Sequence, residues 1–287
     1  MILNEKFSLA NGVGIPKLGL GTWMIPDTDT AEAVRQAVKI GYRHIDTAQA
    51  YQNERGVGEG IRTCGIDRSE LFVTTKVAAE HKNYDAAAKS IDESLQKMQL
   101  DYIDLIIIHS PQPWAEFRTE KRYFEENREV WRALEDAYEA GKVRAIGVSN
   151  FLIDDLQNLL ADCRIRPMVN QILLHVGETP MDLVNFCRES DIQLEAYSPI
   201  AHGAALKSEA LAEIAKKYGA SVAQVCIQYT LQLGAVSLPK SSNPDHIRSN
   251  AALDFTLSDE DMRLLGDIEQ DYADDARFPV FGRKRRN

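Results

Sequence analysis

The sequence predicts a (β/α)8 barrel, the TIM-barrel architecture, with a β-hairpin before the first barrel strand. Three observations lead to this fold class. Eight short runs rich in branched apolar residues recur along the chain, longer stretches with helical spacing lie between them, and no proline- or glycine-rich linker divides the 287 residues. Eight strand–helix alternations in a chain of this length favour a closed parallel barrel over an open doubly wound sheet. Residues 1–287 are therefore expected to form a single domain.

The predicted strands follow one another at regular intervals. The hairpin is expected in FSLANGVGIPKL, where Asn11, Gly12 and Gly14 are typical turn residues. The eight barrel strands are expected at LGLGTW, GYRHID, LFVTTK, YIDLIIIH, VRAIGVSN, PMVNQI, IQLEAYS and AVSLPKS, in that order. Each run has the length and the branched apolar content of a buried strand.

The stretches between these strands show the spacing of amphipathic helices. In AAAKSIDESLQKM, Ile91, Leu95 and Met98 follow one another at steps of four and three, which places them on one helical face. EVWRALEDAYEAGK repeats this pattern with Val130, Leu134 and Tyr138, and it contains Gly141 at the point where a helix end favours a left-handed residue. SVAQVCIQYTLQLG ends in the same way on Gly234.

Two further segments are predicted to begin helices. LSDEDMRLLGDI has the form of a capping box, with Ser258 as the N-cap and Asp261 three residues later. ERGVGEG, residues 54–60, contains spaced glycines, but the next glycine of a dinucleotide-binding fingerprint is misplaced and no apolar strand leads directly into the segment. We therefore interpret this stretch as the beginning of a helix and not as a phosphate-binding loop.

Composition and charge exclude several classes of protein. The formal net charge of -10 argues against a general nucleic-acid-binding protein, which needs a large basic face. The four cysteines form no C-x-x-C pair, so neither a disulfide framework nor a zinc site is expected, and no metal is predicted. The N-terminus has no apolar signal core and no run reaches membrane-spanning length, so we expect a cytoplasmic protein with no membrane partner. The basic cluster GRKRRN at residues 282–287 is interpreted as a solvated tail.

Polar residues stand at the carboxyl end of most predicted barrel strands. In chain order they are Asp46, Lys76, His109, Ser149-Asn150, Asn170-Gln171, Tyr197-Ser198 and Lys240-Ser241. A single polar residue at a strand end is usually a helix cap or a turn former. In a parallel barrel, however, these ends meet at one rim, and that rim carries the chemistry. The pattern therefore predicts a functional site at this rim.

Four of the residues near this rim have the chemistry of a proton-transfer site. Asp46 and Lys76 end neighbouring strands and are expected to form an ion pair that keeps Lys76 charged. If Tyr51 lies above this pair, we expect the ammonium to lower the pKa of its phenol below the usual value of about 10. A phenol of that kind is a competent general acid, and His109 is placed to hold the same substrate oxygen. Taken singly, His109 is more often structural and Tyr51 more often a packing ring.

The motifs around these residues resemble those of the aldo-keto reductases. GLGTW, GYRHIDTAQAYQNERGVG, LFVTTK, LDYIDLIIIH, GKVRAIGVSNF, VNQ, AYSP and LPKSSNPDHI occur in the family's order and spacing, over residues 7 to 265. The chain is most similar to the bacterial branch that includes diketogluconate reductase-like and related carbonyl reductases. The resemblance implies an NAD(P)H-dependent oxidoreductase that reduces aldehydes and ketones to alcohols. Its catalytic tetrad falls on Asp46, Tyr51, Lys76 and His109, with Tyr51 as the general acid.

The resemblance also implies where the cofactor and the substrate bind. Ser149, Asn150 and Gln171 would bind the nicotinamide carboxamide, and Tyr197 would stack on the nicotinamide ring. The other cofactor-binding positions implied are Thr22, Ser198, Ile200, Lys240, Ser241, Ser242, His246 and Asn250. The substrate pocket would include Trp23, Ser110 and Trp114, and the substrate would be a small-molecule carbonyl compound.

The chain departs from the family pattern at three places. HSPQPW has Ser110 where many members have a tryptophan, and KVAAEH has alanines where a second tryptophan often occurs, so we expect a roomier pocket with Trp114 as its aromatic wall. His246 stands where an arginine commonly grips the ribose 2′-phosphate, with Arg248 two residues further on. Neutral histidine makes at most one weaker bond to a phosphate. We therefore expect NADPH to be the cofactor, with NADH also accepted.

Two other classes of function compete with the reductase. A regulatory subunit on the same barrel would bind the cofactor with little turnover, although a complete tetrad argues against it. A barrel hydrolase or aldolase would use Lys76 as a Schiff-base nucleophile, but a lysine paired with Asp46 stays protonated and is a poor nucleophile. A monomer is the simplest expectation from the family.

Overall fold

The structure is a computed structural model that describes residues 1–268. The predicted basic tail at 282–287 lies outside the described residues. The hairpin consists of β1 (Lys6–Ser8) and β2 (Gly14–Pro16), which pair in antiparallel register. The barrel strands are β3 (Gly19–Gly21), β4 (His44–Asp46), β5 (Phe72–Val77), β6 (Leu105–Ile108), β7 (Ile146–Ser149), β8 (Val169–Leu173), β9 (Gln193–Tyr197) and β10 (Val236–Leu238).

Helices follow the barrel strands and form the outer layer. They are α1 (Asp27–Ile40), α2 (Glu54–Thr63), α3 (Tyr84–Met98), α4 (Phe124–Glu139), α5 (Ile153–Leu160), α6 (Met181–Glu189), α7 (Glu209–Lys217), α8 (Val222–Gln232), α9 (Pro244–Ala251) and α10 (Asp259–Gly266). None of the helices in residues 1–268 has the length and apolar content that crossing a membrane requires.

The eight barrel strands are parallel and lie in sequence order around the barrel. The first and last strands are joined by parallel bridges between Leu18 and Ser237 and between Gly21 and Lys240. The amide of Ser237 donates to the carbonyl of Lys17 at 2.9 Å, which closes the ring of strands. The predicted (β/α)8 barrel with an N-terminal hairpin is confirmed, and all the carboxyl strand ends therefore face the same rim.

The helical periodicity corresponds to buried faces. In α3, Ile91 and Met98 are buried against the barrel, and Leu95 is partly buried beside them. The chain leaves α4 through Gly141, whose φ of 72° is the left-handed conformation that glycine adopts most easily. Gly234 has the same role after α8, with a φ of 87°.

The ERGVGEG segment forms α2, as predicted, and its glycines allow the close approach of neighbouring helices. A Cβ on Gly58 would lie 2.1 Å from the carbonyl oxygen of Met98, and one on Gly60 would lie 2.7 Å from the Cβ of Val34. Side chains at these positions would push α2 away from α3 and α1. The spaced glycines therefore serve helix packing.

The predicted capping box of α10 is only half formed. The hydroxyl of Ser258 accepts from the amide of Asp261 at 3.1 Å, as an N-cap does. The amide of Ser258 donates to the hydroxyl of Tyr218 instead of the Asp261 side chain, because that carboxylate accepts from Tyr218 and Lys217. A complete capping box occurs in α8 instead, between Ser221 and Gln224.

Candidate active site

A cavity of about 640 Å³ opens at the carboxyl ends of the barrel strands. It is lined by Gly21, Trp23, Met24, Asp46, Ala50, Tyr51, His109, Trp114, Ser149, Asn150, Gln171, Tyr197, Ser198, Pro199, Ile200, His202, Gly203, Leu238 and Lys240. The lining combines aromatic rings, amide and hydroxyl groups, and a lysine at the rim. Most of the residues that the sequence predicts for the site are therefore brought together in one cavity.

Lys76 and Asp46 form a buried ion pair beneath this cavity. The ammonium of Lys76, whose side chain has no solvent exposure, donates to both carboxylate oxygens of Asp46, at 2.7 and 2.8 Å, and to the carbonyl of Thr47 at 2.8 Å. Burial lowers the pKa of Lys76, but the charge of Asp46 and the interactions with Tyr51 outweigh it, so the pKa is raised. The ammonium therefore keeps its proton.

Tyr51 lies beside this ammonium, at the end of a single 3-10 turn (Gln49–Tyr51) that follows β4. The Lys76 Nζ is 4.9 Å from the centroid of its ring. Burial raises the pKa of the phenol, and the charge and hydrogen bond of Lys76 lower it without compensating fully, so the pKa is higher than in water. The expectation of a pKa below about 10 is therefore wrong for this chain, because desolvation of the phenolate exceeds the effect of the ammonium.

His109 faces the same cavity as a neutral imidazole. Burial and the charge of Lys76 hold its pKa well below the usual value. Its ring makes edge contacts with Tyr51, at 5.6 Å between centroids, and with Trp114, at 4.9 Å. Its Nδ1 is buried and has no hydrogen-bond partner among residues 1–268. Burying an unpaired nitrogen lone pair at Nδ1 costs less free energy than burying an unpaired N–H there. The ring proton is therefore assigned to Nε2, which makes Nε2 a hydrogen-bond donor.

A set of amide and hydroxyl groups forms the floor of the cavity. Asn150, in the left-handed conformation at φ 63°, donates its amide hydrogens to the His109 carbonyl and to Ser149 Oγ, both at 3.0 Å. Its amide oxygen accepts from the hydroxyl of Tyr197 at 2.7 Å. Ser149 Oγ in turn donates to the carbonyl of Gln171 at 2.8 Å. These contacts fix the side chains in place before any ligand arrives.

Gln171 connects this floor to the ion pair. Its amide nitrogen donates to Asp46 Oδ2 at 2.9 Å and to Glu195 Oε2 at 3.0 Å. Glu195 is fully buried in the interior of β9, and burial together with the charge of Asp46 raises its pKa to about 8. Sequence reasoning missed Glu195, although a charged residue inside the apolar run IQLEAYS was a signal that could have been followed.

The segment after β9 crosses the rim in an unusual backbone conformation. Ser198, Ala201 and His202 have φ values of 52°, 48° and 53°, in the left-handed region that non-glycine residues rarely adopt. The rings of His202 and Trp23 make a T-shaped contact at 5.1 Å between centroids, and His202 Nε2 lies 3.3 Å from Ser198 Oγ. The contact joins the loop after β3 to the loop after β9. No feature of the sequence indicated this role for His202.

Some predicted residues lie outside the cavity lining. Thr22 is fully buried and donates to the carbonyl of Asp46 at 2.9 Å, and Ser110 is fully buried and accepts from the amide of Gln112 at 3.2 Å. Ser241 accepts from the amide of Asn243 at 3.1 Å in the turn before α9. Ser242 and His246 are exposed, and Asn250 is buried in α9. Among the predicted strand-end residues, Asn170 lies on the opposite side of β8 from Gln171, because successive strand side chains alternate.

The loop between β6 and α4 holds Trp114 at the cavity. The buried side chain of Gln112 forms hydrogen bonds across this loop. It donates to the carbonyls of Thr119 at 3.1 Å and Lys121 at 2.6 Å, and it accepts from the Arg118 amide at 2.8 Å. Trp114 is therefore carried by a loop of fixed shape. The sequence indicated Trp114 but not the glutamine that shapes its loop.

The loop is also anchored to its surroundings. Lys82 Nζ donates to the carbonyl of Ser110 at 2.8 Å and to Asn127 Oδ1 at 3.0 Å, and Asn127 donates to the carbonyl of Pro111 at 3.0 Å. Burial lowers the pKa of Lys82 to about 7. These two side chains fix the beginning of the loop directly after His109.

A parallel barrel that carries a phenol, a neutral imidazole and a buried ammonium–carboxylate pair at its carboxyl rim defines an oxidoreductase that acts on carbonyl groups. Residues 12–270 match the model of the Aldo/keto reductase family. The chain belongs to this family.

Relatives along almost the whole chain support this assignment. The glyoxal reductase of Bacillus subtilis is 44% identical over 271 residues, which are 94% of each protein. The 9,11-endoperoxide prostaglandin H2 reductase of Trypanosoma cruzi is 44% identical over 269 residues, covering 92% of this chain and 91% of that protein.

Solved structures agree with the fold. An aldo/keto reductase from Brucella melitensis matches with a TM-score of 0.85 and 38% identity, covering 91% of this chain and 98% of that one. A Bombyx mori aldo-keto reductase in complex with NADP matches with a TM-score of 0.82 and 33% identity, covering 91% and 92%.

Proposed function

We propose that this chain reduces aldehydes and ketones to alcohols with NADPH, and that Tyr51 is the proton donor. One observation carries the proposal. The phenol of Tyr51 stands beside an ammonium that is bonded to a buried carboxylate, and it shares a cavity with a neutral histidine. Such an arrangement supplies a proton and a second hydrogen-bond donor at one point.

The residues of the cavity fit a nicotinamide dinucleotide. A carboxamide has two donor hydrogens, and Ser149, Asn150 and Gln171, whose own hydrogens are bonded within the protein, have side-chain oxygens that can accept them. Tyr197 offers an aromatic face at the same floor. Lys240 at the rim supplies a positive charge for phosphate, with Ser198 and Ile200 beside it in the lining. When bound, the reduced nicotinamide supplies the hydride.

The protein residues then perform the proton chemistry. Tyr51 is protonated at working pH, because burial raises its pKa, and gives its proton to the carbonyl oxygen as negative charge develops there. His109 donates a hydrogen bond to the same oxygen. Lys76 reduces the free energy needed to form the phenolate, and Asp46 holds Lys76 charged and in position.

The same geometry argues against a Schiff-base mechanism. An amine must lose its proton to attack a carbonyl, whereas the pKa of Lys76 is raised and its ammonium is engaged by three oxygens. Treatment with borohydride and a carbonyl substrate is therefore expected to leave Lys76 unmodified, as intact-mass spectrometry would show.

The test of the reductase proposal is turnover with Tyr51→Phe as the matched variant. NADPH oxidation is measured with glyoxal, methylglyoxal, aromatic aldehydes, keto-sugars and keto-esters. Tyr51→Phe removes only the hydroxyl and is expected to lower kcat by about 100- to 10,000-fold, while the Kd for NADPH stays within about threefold. Undiminished turnover in Tyr51→Phe would contradict the proposal. Tight NADPH binding without turnover in the wild type would favour the regulatory alternative.

The cofactor preference follows from the residues beyond β10. His246 is exposed on α9, and Arg248 is paired with Asp245 at 3.2 Å, a carboxylate that competes with a phosphate for its guanidinium. We expect NADPH to be preferred over NADH by less than about a thousandfold in kcat/KM, a difference of about 4 kcal/mol. His246→Arg is expected to raise that ratio, since arginine makes a charged bidentate contact. A larger wild-type ratio, or no change in the variant, would contradict this expectation.

We also propose that the chain acts as a cytoplasmic monomer on a small-molecule carbonyl compound, without a nucleic-acid partner. The net charge of -10 and the family support this proposal. Sedimentation equilibrium of the purified protein tests the monomer.

A further inference from the structure

Glu195 is a buried carboxyl group for which the proposed reaction has no direct use. It stands in the middle of β9, between Leu194 and Ala196, and has no solvent exposure. Its Oε1 has no hydrogen-bond partner among residues 1–268, and His44 Nε2 lies 3.7 Å from it. Burying an incompletely bonded carboxyl destabilises the fold, so packing alone does not explain a glutamate here. Buried ionisable groups with perturbed pKa values are concentrated at functional sites.

The partner of Glu195 is Gln171, which the parallel register of β8 and β9 places directly opposite. The amide nitrogen of Gln171 has two hydrogens, and two carboxyl groups accept from it: Asp46 Oδ2 at 2.9 Å and Glu195 Oε2 at 3.0 Å. The reverse orientation would place the amide oxygen against the charged carboxylate of Asp46 and remove the Gln171 donor from Glu195 Oε2. The two contacts therefore decide both which way the amide is turned and the plane in which it lies.

With both hydrogens held beneath the cavity, the carbonyl oxygen of Gln171 is the group left to face the cavity that this residue lines. The neighbouring groups Ser149 and Asn150 are held by contacts of their own. A fixed amide oxygen accepts a hydrogen bond from an amide N–H without first losing rotational freedom, and such preorganisation increases affinity.

We propose that Glu195 is a positioning residue that holds the amide of Gln171 so that its oxygen accepts from the carboxamide of the nicotinamide. The inference rests on the proposed function, since it concerns the same cofactor site. Asp46 holds the other hydrogen, but substituting it would also disturb Lys76. A substitution of Glu195 therefore tests the orientation of the Gln171 amide without removing a hydrogen-bond partner of Lys76.

The experiment compares two variants and two ligands by direct binding. Glu195→Met removes the acceptor and keeps an unbranched side chain, whereas Glu195→Gln keeps an acceptor oxygen. Affinities are measured by calorimetry for NADPH and for 2′,5′-ADP, which lacks the nicotinamide. Glu195→Met is expected to weaken NADPH by about tenfold and to leave 2′,5′-ADP within about twofold, and Glu195→Gln is expected to restore most of the NADPH affinity.

A double-mutant cycle with Gln171→Leu identifies the route of the effect. In the Gln171→Leu background, Glu195→Met is expected to change NADPH affinity no further, because the amide through which it acts is absent. Equal weakening of both ligands, unchanged NADPH affinity, or an undiminished effect in the Gln171→Leu background would overturn the inference. If Glu195→Met does not fold, Glu195→Val, which suits a strand, is used with the same expectations. Failure of the wild-type protein to bind NADPH would contradict the proposed function itself. This result is distinguishable from a failure of the inference about Glu195, which requires a wild type that binds NADPH.

Discussion

Tyr51 illustrates how two opposing effects set the state of one residue. Burial makes the phenolate costly and raises the pKa, whereas the ammonium of Lys76 makes it less costly. The first effect exceeds the second, so the side chain carries its proton and is ready to donate it. The second effect limits the free energy that donation requires. A ring buried without Lys76 would hold its proton too firmly for a general acid.

Glu195 gives a prediction about pH and stability. Burial and the charge of Asp46 raise its pKa to about 8, whereas in the unfolded chain it is about 4.3. The folded state therefore binds the proton more tightly, and this contribution to stability is complete below pH 4.3 and is lost as pH rises towards 8. The loss over this window is on the order of a few kcal/mol. Glu195→Gln has no proton to lose, so its Tm relative to the wild type is expected to rise with pH.

Thermal unfolding at pH 5.5, 7 and 8.5 measures this difference. The groups around Glu195, which are His44, Asp46 and Lys76, are present in both proteins, so their titration largely cancels in the comparison. Parallel Tm curves for the two proteins would show that Glu195 does not change its proton binding on folding.

The same residues show which parts of the site can be read from a sequence. Asp46, Lys76 and His109 were found because a charged or titratable residue ends an apolar run, and a parallel barrel sends all such ends to one rim. The acidity of Tyr51 was predicted in the wrong direction, because the depth of burial depends on neighbours from distant parts of the chain. Thr22 and Ser110 fall outside the cavity because their hydroxyl groups bond to backbone atoms nearby.

At the scale of elements, the spaced glycines of α2 can be explained only from its contacts with neighbouring helices. Its spaced glycines could be assigned to a helix because no strand leads into them, but the reason for glycine appears only in the packing against α1 and α3. The helical faces of α3 and α4 were predictable because periodicity alone identifies a buried face. The hydrogen bonds of Gln112 within the 110–123 loop were not predictable, since hydrogen bonds in an irregular loop produce no periodic pattern in the sequence.

Gly58→Ala tests the packing of α2. Helix propensity alone would make alanine more stable by about 1 kcal/mol. The added Cβ, however, would lie 2.1 Å from the backbone oxygen of Met98, so one of the helices must shift. We expect the variant to be destabilised by about 1–3 kcal/mol in urea unfolding.

Gly266→Ala is the matched control for this substitution. It lies at the end of α10, where a Cβ would make an ordinary contact of 3.5 Å with the hydroxyl of Tyr229. This variant is expected to be neutral or slightly more stable than the wild type. Equal effects of the two substitutions would show that the close approach at Gly58 can relax without loss of stability.

At the scale of the whole molecule, the barrel brings polar residues that are spread along the sequence together at one site. Residues as far apart as Asp46 and Gln171 come within 2.9 Å because β4 and β8 contribute to the interior of the same ring. The eight alternations predicted that ring, and its parallel strands explain why the functional groups collect at one end. Contacts across the ring, such as those of Glu195, depend on its diameter and register, which a strand pattern does not specify.

The ring is closed between two strands of only three residues, and this leads to a prediction about local opening. β3 and β10 have three residues each and meet through isolated bridges, with Ser237 N donating to Lys17 O at 2.9 Å and Gly21 N to Pro239 O at 3.2 Å. β5 and β6, by contrast, pair over four consecutive positions. Because few hydrogen bonds must break together at the seam, the amides of Gly21 and Ser237 are expected to exchange at least about tenfold faster than that of Ile106, which donates to Ala145.

Native-state hydrogen exchange resolved by NMR measures these three amides directly. Lys240 follows the seam and is bridged to Gly21, so 2′,5′-ADP bound at that charge would hold both strands together. We therefore expect saturating 2′,5′-ADP to slow exchange at Gly21 and Ser237, since a ligand suppresses the openings that release it. Equal exchange at all three amides would mean that the barrel opens only as a unit. Unchanged exchange at Gly21 and Ser237 in the presence of 2′,5′-ADP would place the ligand away from the junction of β3 and β10.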